Sequence, residues 1–106
     1  MKLIIFLTFY LLTHSAYALT QTEMCNQLNE MAKVFMEERQ SGRVMADLIN
    51  VIEQDEVATE RGKKLLKDMI IDAYQRPMYS SKELKEREVV DFQNRWYMQC
   101  LKADIK

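Results

Sequence analysis

The sequence predicts an all-α fold: a small four-helix bundle with one disulfide joining the first and last helices. Three observations carry this. Glycine and proline are confined to Gly42, Gly62 and Pro77, and the period-two alternation of β-branched residues that marks strands is absent. Apolar residues instead recur at spacings of three and four in successive segments separated by turn signals. The two cysteines, Cys25 and Cys100, fall near the start of the first such segment and near the end of the last.

The first helix is expected to begin at Thr20–Glu23, a match to the S/T-x-x-E capping box in which hydroxyl and carboxylate satisfy orphan amide donors. Met24, Cys25, Leu28, Met31, Ala32, Phe35 and Met36 then form one stripe, which ends at Gln40-Ser41-Gly42, where glycine can take a left-handed C-cap. A short second helix fits Val44 to Gln54, with Val44, Met45, Leu48, Ile49 and Ile52 inward. The third, Val57 to Gln75, carries Ala58, Leu65, Leu66, Met69, Ile70 and Ala73 on one side. Gly62 either weakens its first turns, by up to about 1 kcal/mol relative to alanine, or admits a neighbouring helix at close range. Pro77 disfavours helix at Arg76 and so ends the third helix. The fourth starts at the serines that follow, with Ser80 and Glu83 as a second capping box, and runs to about Ala103. Leu84, Val89, Phe92, Trp96 and Cys100 line one face of it, broadened by Val90, Tyr97 and Leu101. A Cys25–Cys100 bond makes the first and last helices antiparallel neighbours.

The chain opens MKLIIFLTFYLLTHSAYALTQ: one cation at Lys2, an apolar run from Leu3 to Leu12, then small and polar residues. This is the layout of a secretory signal peptide, and Ala16-Tyr17-Ala18 supplies an A-x-A site, so residues 1–18 are expected to be removed and 19–106 to form a single helical domain. Retention as an anchor would require roughly 18–20 apolar residues, and Thr8, Thr13, His14 and Ser15 interrupt the run too early. The expected location is periplasmic or secreted, where two cysteines are read first as one disulfide.

Composition removes several functions. The chain has 15 basic and 16 acidic residues, a net charge of −1, with nothing basic enough for nucleic acid. The only histidine, His14, lies in the leader, so the remainder offers no imidazole base or metal ligand. With the cysteines paired no thiol nucleophile remains, and no Gly-rich phosphate loop, G-x-S-x-G or H-E-x-x-H occurs. Glu37 with Glu38 and Asp55 with Glu56 are the candidate carboxylate pairs for a hydrolase, but adjacent helical residues diverge by about 100° and read as solvated faces. Met24, Met31, Met36, Met45, Met69, Met78 and Met98 raise Cu(I) chemistry. Most of them lie on apolar stripes, where methionine fills irregular gaps. The expectation is no enzyme, no cofactor and no metal. The cations Arg61, Lys63, Lys64 and Lys67 read as a salt-bridged surface of the third helix or as a strip for an acidic partner or anionic lipid.

Binding remains. Surfaces that bind use Tyr, Trp and Arg as anchors, and their densest cluster is AYQRPMYSS, residues 73–81, followed by Arg95, Trp96 and Tyr97. Pro77 and the serines have plain structural duties, Tyr74 sits close enough to the third helix's stripe to be partly buried, and Trp96 reads as core. The candidate binding residues are therefore Arg76, Met78 and Tyr79.

The runs RQSGRVMADLI (39–49), AYQRPMYSSKE (73–83) and DFQNRWYMQC (91–100) resemble a family of small exported, uncharacterised helical proteins of bacteria and their phages. The resemblance implies an exported helical protein and supplies no catalytic residue. The expected function is binding or inhibition of another envelope protein. The alternatives are a structural or stress-protective envelope protein without a specific partner and, behind it, a small hydrolase.

Overall fold

A computed structural model of the protein describes residues 19–103. The expected leader and cleavage site, residues 1–18, lie outside the described residues. Four helices occur in the order α1 (Gln21–Gln40), α2 (Met45–Glu53), α3 (Glu60–Tyr74) and α4 (Lys82–Lys102), with no strand among the described residues. The closest pairing is α1 with α4, which run antiparallel and are joined by the Cys25–Cys100 disulfide with Cα atoms 5.6 Å apart. α3 packs against α1, and α2 folds back beside α3.

Local chemistry explains each boundary. Thr20 caps α1, its hydroxyl accepting from the Glu23 amide at 3.1 Å, the first half of the capping box, while the Glu23 carboxylate accepts from that same hydroxyl at 3.1 Å rather than from the Thr20 amide. α1 ends where Gly42 takes φ 86°, a left-handed conformation that L side chains rarely adopt. α3 starts at Glu60 rather than Val57 because Thr59 is its cap, the hydroxyl accepting from the Gly62 amide at 3.0 Å. Before it, the Asp55 carboxylate accepts from the amides of Val57 and Ala58 at 2.8 and 3.2 Å and holds residues 55–58 in a turn. Gly62 admits no neighbouring helix: a Cβ there would meet only the Thr59 hydroxyl, at 3.3 Å.

The cap of α4 is Ser81, whose hydroxyl accepts from the Leu84 amide at 3.1 Å; Ser80 lies one residue outside. Ser81→Ala is therefore expected to lower stability by about 1 kcal/mol in denaturant titration and Ser80→Ala by no more than a few tenths. Equal effects would refute the assignment.

The core draws on all four helices: Ala32, Phe35 and Met36 from α1, Leu48 and Ile52 from α2, Met69, Ile70 and Ala73 from α3, Val89 and Phe92 from α4. Complete burial of side chains the size of Met36, Met69, Ile70 and Phe92 contributes about 1.5–3 kcal/mol each. Several stripe residues face water instead. At the start of α2, Val44, its N-cap, and Met45 are exposed, and the inward face reduces to Leu48 and Ile52 with Ile49 half-buried. Leu65 on α3 and Leu84, Val90 and Leu101 on α4 are also exposed. Trp96 packs against the core, its ring 6.3 Å from Phe92 and its indole N–H donating to Asp72 at 2.9 Å, which ties α4 to α3.

Candidate functional site

The connection between α3 and α4 is held against the C-terminal end of α1 by two consecutive α1 side chains. Arg39 donates from Nε and Nη2 to the Arg76 carbonyl at 3.2 and 3.0 Å. Gln40, buried at the last position of α1, donates from Nε2 to the Pro77 carbonyl at 2.9 Å and accepts at Oε1 from the Tyr79 amide at 2.9 Å. Its own carbonyl accepts from the Lys85 ammonium of α4. Side chains thus satisfy three backbone groups of residues 76–79, whose only backbone–backbone hydrogen bond among the described residues runs from the Arg76 amide to the Ala73 carbonyl at 3.2 Å.

Tyr74 closes the same corner. Its hydroxyl donates to the Arg43 carbonyl at 2.6 Å, and the Arg39 guanidinium lies 5.2 Å from its ring centroid, within cation–π range. Burial pushes the phenol above its ordinary value, so it stays a neutral donor across the physiological range.

The three candidate residues share this held segment. Arg76 is half-buried and pairs with Asp72 at 3.6 Å, the carboxylate that also accepts from Trp96. Met78 is 53% exposed, and Tyr79 is half-buried. The structure brings these three together on a backbone fixed by α1. Arg95 contributes separately from α4: its guanidinium lies 5.7 Å from the Phe92 centroid, and its buried Nε and Nη2 have no hydrogen-bond partner among the described residues.

Gln40 is the residue that the sequence reading missed. In the sequence it is part of a helix-stop signal, and its only visible cue is a polar residue four positions after Met36, at the end of an apolar stripe.

The other candidate chemistries resolve into local roles. Glu38 pairs with Arg43 at 3.4 Å, Glu37 is exposed, and Asp55 holds the turn described above. Of the methionines, Met36 and Met69 are fully buried in the core, Met24 and Met31 are half-buried, and Met45, Met78 and Met98 are exposed. No group of three or more His, Cys, Asp or Glu side chains converges among the described residues.

The cations of α3 are largely paired. Lys63 lies 3.9 Å from Glu60 and donates to the Glu53 carbonyl, Lys64 pairs with Asp68 at 3.1 Å, and Lys67 pairs with Glu53. The Lys67 hydrogen bond lowers the Glu53 pKa, and the same bond raises that of Lys67. Arg61 alone of this row has no ion-pair partner among the described residues.

A second surface feature lies at the disulfide end. The first half of α3 stands off the α1–α4 pair and leaves a groove of about 850 Å³, lined mainly by apolar side chains of α1 and α3 together with Trp96 and Cys100 of α4. No helix among the described residues is long and apolar enough to cross a membrane. Comparison with known protein families, with characterised proteins and with solved structures found no match.

Proposed function

We propose that this chain is an exported periplasmic protein that acts by binding or inhibiting another protein of the envelope, with Arg76, Met78 and Tyr79 as its contact surface. The observation that supports this most is the fixed backbone beneath them. Arg39 and Gln40 hold the carbonyls of Arg76 and Pro77 and the amide of Tyr79, while Met78 between them stays 53% exposed. A connector needs no such anchoring to link two helices. Holding the backbone in advance removes part of the ordering cost of association, about 0.5–1.5 kcal/mol per immobilised side chain. Arginine and tyrosine are the side chains that most often carry interface energy, and methionine adapts to irregular partner surfaces.

The leader supports export, and the disulfide fits an oxidising compartment. The absence of histidine from residues 19–106 favours binding over acid–base catalysis.

Capture from envelope extracts tests the reading. The protein is expected to retain one stoichiometric partner, and Arg76→Ala with Tyr79→Ala to weaken the complex by about 30-fold or more, the loss expected for interface anchors. The melting temperature should stay within a few degrees, because the Arg76–Asp72 pair is partly solvated and such pairs contribute about 0–1 kcal/mol. A spread of weakly held clients would favour the protective alternative. Collapse of the fold would make Arg76 and Tyr79 structural.

A further inference from the structure

We infer that the groove at the disulfide end is a docking site for about two turns of an amphipathic helix bearing carboxylates along one edge, a second contact for the partner; this rests on the binding function proposed above. The groove follows from how α3 packs. Its second half is buried through Met69, Ile70 and Ala73, whereas in its first half Leu65 is 40% exposed and Leu66 half-buried. Facing these are Met24, Leu28 and Met31 of α1 and Trp96 of α4, and no α2 side chain reaches the space. Four helices therefore leave part of their own apolar surface uncovered, and the missing element is short.

The dimensions select the occupant. The lining runs from Met24 to Met31 on α1 and from Arg61 to Asp68 on α3, and seven helical steps span about 10.5 Å, two turns. The groove is open to solvent along one side, so a small molecule would keep much of its surface wet, against the 70–90% burial usual for a ligand pocket. One face of a helix, with anchors at i, i+3, i+4 and i+7, covers such a strip while its other face stays in water. Unbranched methionines on the floor adjust to the inserted side chains.

Charge selects the edge. The groove is rimmed by Arg61, Lys64 and Asp68; Lys64 and Asp68 neutralise each other at 3.1 Å, and Arg61 is left without an ion-pair partner among the described residues. The N-terminus of α3, at Thr59 and Gly62, opens on the same rim, its partial positive charge offset by Glu60 in the first turn, so Arg61 carries the charge of the rim. On a chain of net charge −1, this rim is locally positive.

Trp96 is the only tryptophan in the chain and lines the groove, so its emission reports occupancy. Two tryptophan-free helical peptides of about three turns would be titrated against the full mature protein, both with leucine at i, i+3, i+4 and i+7, one flanked by glutamate and one by lysine. The glutamate peptide is expected to give a saturable blue shift and to bind at least about tenfold tighter. Leu65→Glu should abolish the shift, and Arg61→Glu, a fully surface change, should reverse the preference toward the lysine peptide. Equal binding of both peptides, or indifference to Arg61→Glu, would overturn the inference. So would a shift produced only by anionic lipid vesicles, or by self-association without peptide. If Leu65→Glu leaves partner capture intact while Arg76→Ala with Tyr79→Ala abolishes it, the groove is not a contact and the proposed function stands; if neither variant affects capture, both fail.

Discussion

Replacing both cysteines by serine is expected to lower the stability by about 2–4 kcal/mol, which for a domain of this size corresponds to a fall of roughly 10–25 °C in melting temperature. The bond spans 75 residues, nearly the whole described chain, so breaking it returns to the unfolded ensemble almost all the freedom that one crosslink can remove. The native state loses a clamp as well. Gln21 at the start of α1 donates from Nε2 to the carbonyls of Cys100, Leu101 and Ala103 at 3.3, 3.2 and 2.9 Å, satisfying the last turn of α4 from the neighbouring helix. Those hydrogen bonds depend on the register the disulfide fixes. Scanning calorimetry of the double variant beside the reduced wild type checks the magnitude, and the two should agree. Hydrogen exchange checks the location: protection should fall first at Leu101–Ala103 and in the first turn of α1. An unchanged melting temperature would mean that α1 and α4 hold each other without the crosslink.

How much of this was legible in the sequence varies by element, for physical reasons. α1 and α4 were readable because each joins a capping hydroxyl to a stripe of twenty residues or more, long enough for a 3.6-residue period to exclude other readings. The disulfide was readable because its cysteines fall at opposite ends of those two helices. α2 was readable as a helix but not for its buried face. Nine residues make about two and a half turns, so whether Val44 and Met45 turn inward depends on how the chain leaves Gly42. The start of α3 was misplaced by three residues because Thr59 caps without a glutamate three positions on, Gly62 standing there instead. Ser80 and Ser81 are chemically equivalent candidates, and only the Leu84 amide distinguishes them.

The candidate surface divides in the same way. Arg76, Met78 and Tyr79 are proposed from composition, since the sequence shows no packing role for those side chains. What holds them was invisible, because Gln40 meets Pro77 and Tyr79 across separations of 37 and 39 residues. The groove was hidden for the converse reason: Leu65 satisfies the helical period as well as Met69 does, and only tertiary packing leaves one exposed and the other buried.

Gln40→Leu is expected to lower stability by about 2–3 kcal/mol, or roughly 8–20 °C in melting temperature, and to release the α3–α4 connection. The side chain is 4% exposed, and leucine would keep its bulk while removing both polar ends. The Pro77 carbonyl and the Tyr79 amide then lose their partners together. A fully buried orphan costs about 1–3 kcal/mol, and these two groups, being partly buried, recover some of that from water. Gln40→Glu separates hydrogen bonding from packing. The charged carboxylate can still accept from Tyr79 but sets an oxygen against the Pro77 carbonyl, whereas the protonated acid can donate to it. The folded state therefore favours the protonated form and raises the pKa of the introduced glutamate. Its stabilising contribution is present in full below the unperturbed value of about 4.3 and is lost as pH rises through the raised folded value. Denaturant midpoints of Gln40→Glu measured across that range, relative to wild type, should fall with pH, whereas those of Gln40→Leu should keep a constant offset. A flat Gln40→Glu profile would mean that the Pro77 carbonyl is satisfied by water and that α1 does not fix the connection. In that case Arg76, Met78 and Tyr79 would lose the preorganisation on which their role as a contact surface rests.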